Sequence, residues 1–433
     1  MVVAAVAVLA AACGNSESSG GSSTTAGSSD GSVTTAPGGK QVKVTAPGVT
    51  DTEIRVGGVA STTNPLGGKY ADSFKGVQAY FDMVNSQGGV FGRKLVLASQ
   101  RDDKMANNAA EVKGLIEQDK VFAALPIATL LFTGADQLVA ANMPTFGWHI
   151  NDEWQGSAEN PKANMFGQDG SYLCLGCEQP SVPFVAKQAK RHKIGLLGYN
   201  VPQSSECMES WDKSFKKWGK TADAQVVFKD SSLSFGTTDL SVQVSKMKDA
   251  GVDMVITCMD TNGVVTLAKE LKKQQVDAIQ YLPNGYDQDL LNEYGDLFEG
   301  SYVYTSFTPL ESKKQTAGMK DYEKWIKEAG GEESENSIVG WINADLFVQG
   351  LKAAGPDFDQ QKLIDAINKM TDYDANGLLA GVNWTTSHTQ RDDISCAANL
   401  KIHDSKFVPQ TGPNGEPFTC LSVTAQDLTP TYK

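Results

Sequence analysis

From about Thr52 onward, short runs of apolar and β-branched residues alternate with longer amphipathic segments. The first run, residues 53–60, precedes residues 70–86, where large apolar side chains recur at helical spacing. A strand reaches its parallel neighbour only through a long crossover, which is usually a helix. The alternation therefore predicts an α/β protein whose parallel sheets are covered by helices on both faces.

The alternation occurs in two blocks, which predicts two doubly wound lobes in a chain of 433 residues. The predicted strands of the two blocks are residues 53–60, 94–99, 121–126 and 143–147, then 193–199, 225–229, 252–257 and 279–282. The predicted helices are residues 70–86, 107–118, 134–141, 205–218, 240–250 and 264–274.

Composition argues against two classes of protein. The formal net charge of -13 disfavours contact with phosphate backbones, and no cluster of Lys and Arg offsets it, so we expect no nucleic-acid partner. Beyond the first dozen residues, no stretch approaches the roughly 20 consecutive apolar residues that a spanning helix needs. A polytopic membrane protein is therefore excluded.

The N-terminus predicts export and a lipid anchor. Residues 1–12 form a short apolar signal segment that ends at Cys13, and the small residues before this cysteine resemble the lipobox of bacterial lipoproteins. Residues 14–40 contain eight Ser, seven Gly and four Thr, a composition typical of a flexible tether. We expect an extracytoplasmic protein held to the membrane only through lipidated Cys13. The alternative for residues 14–40 is a plain disordered tail.

The cysteine count supports an oxidising compartment. Of the seven cysteines, assigning Cys13 to the lipid leaves six, an even number that predicts three disulfides in an exported chain. The sequence leaves their connectivity open, and we favour these pairs: Cys174 with Cys177, Cys207 with Cys258, and Cys396 with Cys420.

Candidate ligand contacts follow the predicted strands. Ligands of open parallel sheets bind outside the carboxyl ends of the strands, and the loops there are rich in small, polar and aromatic residues. Turn chemistry alone also favours such residues in strand-end loops. The candidates are Thr62, Asn64, Ala128, Thr129, Trp148, His149, Asn200, Gln203, Asp260, Asn284, Tyr286 and Phe307.

Three segments carry a resemblance to a known family. Residues 76–93, with Gly88-Gly89 and Gly92-Arg93 after a helix, resemble the N-terminal signature of the type I periplasmic binding proteins of the leucine/isoleucine/valine family. Residues 121–126 are similar to that family's third strand, and residues 381–384 are similar to its last crossover. The resemblance spans about residues 50–405.

The resemblance implies a fold and a role. Members are extracytoplasmic substrate-binding subunits of ABC importers, with two lobes that close around a small solute by hinge motion. Lobe one is expected at residues 52–167 plus 306–382, and lobe two at residues 168–305 plus 383–433. The three hinge crossovers are expected near 166–170, 302–307 and 382–387. We further expect a monomer that works with ABC permease subunits.

The resemblance also implies roles for individual residues. Thr129 and the pair Trp148 and His149 stand where amino-acid-binding members hold the ligand carboxylate, and Asn284 stands where they place an acid for the ammonium. An amide cannot neutralise an ammonium, although Asp260 could compensate. A branched-chain amino acid is the first expectation. A neutral amide or urea, an aromatic acid, or another small organic solute is the alternative.

Other chemistries find little support in the sequence. We expect no enzyme, because no nucleophile and base stand in a known arrangement, and no metal ion or cofactor. Residues 372–377 match half of a calcium loop, but position twelve is Asn383, so a turn is expected. The acidic run at residues 332–335 is most simply a solvated helix boundary. A ligand-sensing receptor on the same fold is the competing function.

Overall fold

The computed structural model describes residues 42–433, so the signal segment, Cys13 and the tether lie outside the described residues. The first sheet has five strands: β1 (Glu53–Ala60), β2 (Lys94–Asp102), β3 (Ala123–Ala128), β4 (Thr145–Gly147) and β5 (Met165–Gly167). All its pairings are parallel, in the order β2-β1-β3-β4-β5. The predicted parallel sheet is confirmed for this half of the chain.

The second sheet is mixed. Its strands are β6 (Lys193–Tyr199), β7 (Gln225–Leu233), β8 (Met254–Cys258), β9 (Ile279–Leu282), β10 (Tyr302–Thr305), β11 (Ile394–His403), β12 (Lys406–Pro409), β13 (Thr419–Ser422) and β14 (Thr431–Tyr432). Strands β6 to β10 pair in parallel, whereas β11 to β14 add antiparallel pairs beside β10. The connections between β11 and β14 are short. Connections of this length can join antiparallel strands, whereas parallel strands need a longer crossover.

Helices cover both sheets. They are α1 (Asp72–Ser86), α2 (Asn108–Gly114), α3 (Ala135–Ala140), α4 (Ser181–Ala189), α5 (Pro202–Ala222), α6 (Ser241–Ala250), α7 (Thr261–Lys273), α8 (Gln288–Tyr294), α9 (Ala317–Glu328), α10 (Glu335–Ala354) and α11 (Gln360–Ile367). Every predicted helix is present, and a π-helical turn at Leu115–Asp119 extends α2 to the predicted end. No helix within residues 42–433 is long and apolar enough to cross a membrane.

Helix α10 packs along α1 at very short distance. A Cβ atom built on Gly76 would lie 1.8 Å from the backbone oxygen of Ser337, and one on Gly340 would lie 2.0 Å from that of Ser73. These two positions therefore require glycine. The contact also places the first turn of α10 next to the loops at the carboxyl ends of the strands.

The chain passes between the two sheets at three places that lie together. The Ser171 backbone N–H donates to Ser387 Oγ at 3.1 Å, and Phe307 forms an isolated bridge with Leu379. Segments far apart in sequence thus meet between the sheets. The assignment of residues 52–167 plus 306–382 to lobe one and of residues 168–305 plus 383–433 to lobe two stays a prediction.

The three favoured disulfides are confirmed. Cys174 bonds to Cys177, Cys207 to Cys258, and Cys396 to Cys420. The second pair joins α5 to the end of β8, and the third joins the opposed residues of β11 and β13.

Candidate functional site

A cavity of about 790 Å³ lies between the two sheets, at the carboxyl ends of their parallel strands. Leu130 and Trp148 line it from the first sheet's loops, and Tyr199, Met259 and Asn284 line it from the second. This volume lies within the usual range for small-molecule sites. The cavity is the candidate ligand site.

Apolar and aromatic side chains form much of the wall. The Tyr70 and Trp148 rings lie 6.2 Å apart between centroids, on the first-sheet side. Other apolar wall residues are Leu66, Leu130, Leu173, Leu175, Val201, Trp211, Phe235 and Met259. Such a surface favours a solute with an apolar part, since contact with it removes apolar area from water.

His149 and Asp169 form an ion pair at the cavity wall, with 2.9 Å between Nδ1 and Oδ1. Burial by itself lowers the pKa of His149, but the charge of the Asp169 carboxylate and the hydrogen bonds of the imidazole to Asp169 and Gln168 outweigh it, and the net pKa is raised. The raised pKa favours the protonated imidazole, which is a suitable donor to an anionic group of a ligand.

The Asp260 carboxylate is hydrogen-bonded within the protein. It caps α7, accepting from the Gly263 backbone N–H at 3.0 Å, and its other oxygen accepts from the Tyr199 hydroxyl at 2.6 Å. The neighbouring Asn284 donates through Nδ2 to the Met259 carbonyl at 3.2 Å. Both oxygens of Asp260 therefore have partners inside the fold.

Glu335 is a wall residue that sequence reasoning missed. It is the first residue of α10, after the Ser334 cap, and its partly exposed carboxylate lines the cavity. The expected helix boundary at residues 332–335 is confirmed, because α10 begins at Glu335, but the side chain of Glu335 lines the cavity. Burial, and then the nearby Asp287 carboxylate, raise the pKa of Glu335 to about 8.

Five of the predicted candidates line the cavity. They are Trp148, His149, Gln203, Asp260 and Asn284. The remaining seven do not belong to this wall, and their contact with a ligand stays a prediction; they are Thr62, Asn64, Ala128, Thr129, Asn200, Tyr286 and Phe307.

Several of those seven have structural partners. Asn64 Nδ2 donates to the carbonyls of Ser61 and Gly68 at 3.1 and 3.0 Å, which shapes its loop. Buried Thr129 donates to the Val59 carbonyl at 3.4 Å.

Two of the predicted aromatics are buried. Tyr286 donates to Glu311 at 2.6 Å and packs 4.9 Å from the Phe407 ring, and Phe307 lies 6.0 Å from the Tyr286 ring. Their rings therefore pack in the core, and Ala128 is likewise buried. Thr62 is half-buried, and Asn200 is exposed.

Polar contacts join the loops of the two sheets beside the cavity. Gln203 Nε2 donates to the Leu130 carbonyl at 3.2 Å, and Asn262 Nδ2 donates to the Pro65 carbonyl at 2.9 Å. Lys69 forms an ion pair with Asp289. These contacts connect the two sides of the cavity at its rim.

Comparisons with known proteins agree with this fold. The family model described as periplasmic binding protein matches residues 53–401. The "Leu/Ile/Val-binding protein homolog 8" of Brucella abortus (strain 2308) is 24% identical over 374 residues, covering 79% of this chain and 88% of that protein.

Two solved structures share the fold. A fatty acid ABC transporter substrate-binding protein from Thermomonospora curvata has a TM-score of 0.68 at 19% identity, covering 85% of this chain and 94% of that one. A branched chain amino acid ABC transporter from Thermus thermophilus with bound valine has a TM-score of 0.68 at 20% identity, covering 84% and 96%.

Proposed function

The chain belongs to the periplasmic binding protein family, and from that premise we propose that it captures a small solute for an ABC importer. The observation that carries the proposal is the cavity of about 790 Å³ whose wall comes from the strand-end loops of both sheets. A site built by two halves binds when they close on the solute and releases it when they part. The family works outside the cytoplasm, where its members hand solutes to permease subunits.

The first candidate solute is a branched-chain amino acid or a related compound. The His149 imidazole, whose pKa is raised, supplies a hydrogen-bond donor for a carboxylate, and the Tyr70, Trp148 and Met259 side chains supply an apolar surface for an aliphatic group. The relative from Brucella abortus carries the name of a Leu/Ile/Val-binding protein homologue, which supports this choice.

Hinge closure follows from the same proposal. We assign lobe one to residues 52–167 plus 306–382 and lobe two to residues 168–305 plus 383–433. Supporting this, the three crossing segments meet between the sheets, where small changes in backbone angle would rotate one half against the other. Each chain has its own cavity, so the proposed working form is a monomer.

A second candidate solute is an aromatic or acyl carboxylic acid. Leu173, Leu175, Trp211 and Phe235 give the cavity a wide apolar wall, more than a short aliphatic side chain needs. The structural neighbour from Thermomonospora curvata is named for a fatty acid. In this alternative, His149 would hold the carboxylate of the solute, and the solute would carry no amine.

A thermal-shift screen of the protein from residue 42 onward tests the solute-binding function. The compounds are leucine, isoleucine, valine, neutral amides, urea, benzoate and short fatty acids. A specific solute at about 100 times its Kd adds about 2.7 kcal/mol to the free energy of unfolding, which raises the melting temperature. No shift with any of these compounds would contradict the proposed function.

Lipid anchoring through Cys13 is part of the proposal. The apolar segment ending at Cys13 and the Ser/Gly/Thr-rich stretch after it support this. In a bacterial host, radiolabelled palmitate should enter the full chain but not its Cys13→Ser variant. Equal labelling of the two proteins, or labelling of neither, would overturn the anchor.

A further inference from the structure

Glu335 stands in the cavity wall without a hydrogen-bond or ion-pair partner among residues 42–433. The other acids of the wall differ from it, because Asp169 pairs with His149 and Asp260 is held by the α7 N-terminus and Tyr199, whereas Asp392 and Asp393 are exposed to solvent. An ionised carboxylate that is partly removed from water without a partner is costly. A group of this kind, facing a ligand cavity, calls for a positive partner from the ligand.

The basic residues of the wall do not supply that partner. Arg391 donates to the Glu178 carbonyl at 2.6 Å and to the Gln179 side chain at 2.8 Å. Lys433 donates to the Ala380 carbonyl at 3.0 Å. The charged group acting on Glu335 is instead the Asp287 carboxylate, which repels it.

Aromatic hydroxyls lie within electrostatic reach of Glu335. Burial, then Asp260 and Glu335, raise the pKa of Tyr70, whose ring lies beside Trp148. Burial, then Glu335 and Asp169, raise the pKa of Tyr304 to about 12. A cavity wall that carries a carboxylate together with tyrosine and tryptophan rings is a favourable setting for a cation, through charge and through the negative ring faces.

We propose that Glu335 binds a protonated amine of the solute, so that the cavity selects small amine-bearing compounds over otherwise identical compounds without the amine. The proposal rests on the proposed solute-binding function and deepens it. It assigns to the first turn of α10 the amine recognition that Asn284, an amide, cannot supply. When His149 holds the carboxylate of the solute and Glu335 holds its amine, the two side chains match the two ends of an amino-acid zwitterion.

A pH dependence follows from this assignment. With its pKa at about 8, Glu335 is mostly neutral below that pH in the free protein, and only the ionised form attracts an ammonium. Each pH unit below about 8 should therefore weaken amine binding about tenfold until the pKa of the occupied site is reached. The groups facing Glu335 are Asp287, Tyr70 and Tyr304, of which only Asp287 is an acid that favours its protonation.

Calorimetric titration of Glu335→Gln with two probes tests the proposal. Leucine carries the amine, and 4-methylpentanoate has the same carbon chain and carboxylate without it. We expect the variant to bind leucine about 100-fold more weakly than the wild type, to bind 4-methylpentanoate as well as the wild type does, and to lose the pH dependence. Glu332→Gln, an exposed neighbour, is the matched control and should leave both probes unchanged.

The outcomes separate this proposal from the proposed function. Unchanged leucine affinity and pH dependence in a folded Glu335→Gln protein would overturn the role of Glu335. A wild-type protein that binds 4-methylpentanoate, benzoate or a fatty acid but no amine would overturn amine selection and leave solute binding intact. A wild-type protein that binds none of the compounds would overturn both. Circular dichroism of each variant verifies that it is folded.

Discussion

Replacing Gly340 by alanine should lower the free energy of unfolding by about 3 kcal/mol, although alanine is the better helix former. The new methyl group would lie 2.0 Å from the Ser73 backbone oxygen, so α1 and α10 would have to separate. Helix propensity alone would instead raise the free energy of unfolding by about 1 kcal/mol. Urea unfolding of the two proteins measures the difference.

A glycine in open space provides the control for this substitution. The nearest atom to a Cβ built on Gly176 is the Lys213 Nζ, at 4.0 Å. Gly176→Ala should therefore change the free energy of unfolding by less than about 0.5 kcal/mol. A Gly340→Ala protein at least as stable as the wild type would show that the two helices do not need this close contact.

Replacing Asp345 by alanine should cost about 4 kcal/mol, because two buried hydroxyl groups lose their acceptor. Asp345 is only 1% exposed, in the middle of α10. Its oxygens accept from the Tyr80 hydroxyl at 2.6 Å and from the Tyr373 hydroxyl at 2.8 Å. Urea unfolding again measures the loss.

Two further variants identify the cause of that loss. Asp345→Asn keeps one acceptor oxygen and should lose about half as much stability as the alanine variant. Asp365→Ala, on the exposed face of α11, should lose less than about 0.5 kcal/mol. Equal losses at positions 345 and 365 would contradict the importance of the tyrosine contacts.

Both predictions concern the helix that carries Glu335. The Gly76 contact involves Ser337, only two residues beyond Glu335, and Asp345 holds the middle of α10 to α1 and Tyr373. The position of the proposed amine partner therefore depends on packing far from the cavity. Displacement of α10 should therefore weaken solute binding even when no residue of the cavity wall is substituted.

The strand and helix pattern made the parallel part of the fold predictable. Buried apolar runs such as Ala123–Ala128 and amphipathic helices such as Asp72–Ser86 have clear periodicity. The antiparallel strands β11 to β14 were not predicted. The burial of β11 shows no regular alternation along the strand, and its pairing depends on β10, about 90 residues earlier in the chain.

The candidate site was predictable only in part. The rule for strand ends found Trp148, His149 and Asp260, because their loops directly follow parallel strands. It also selected Tyr286, whose ring packs on Phe407, a residue brought there by long-range pairing. It missed Glu335, because a helix start enters the cavity only through the packing of α10 on α1.

Titration calorimetry with leucine tests the central claim, that a solute binds in the cavity between the sheets. We expect the wild type to bind one solute per chain. Affinity should be about tenfold weaker for Trp148→Ala, whose ring lines the cavity, and unchanged for Trp325→Ala, whose ring lies on α9 outside it. If no screened compound releases or absorbs heat, or if the two tryptophan variants bind alike, the solute site is not in this cavity.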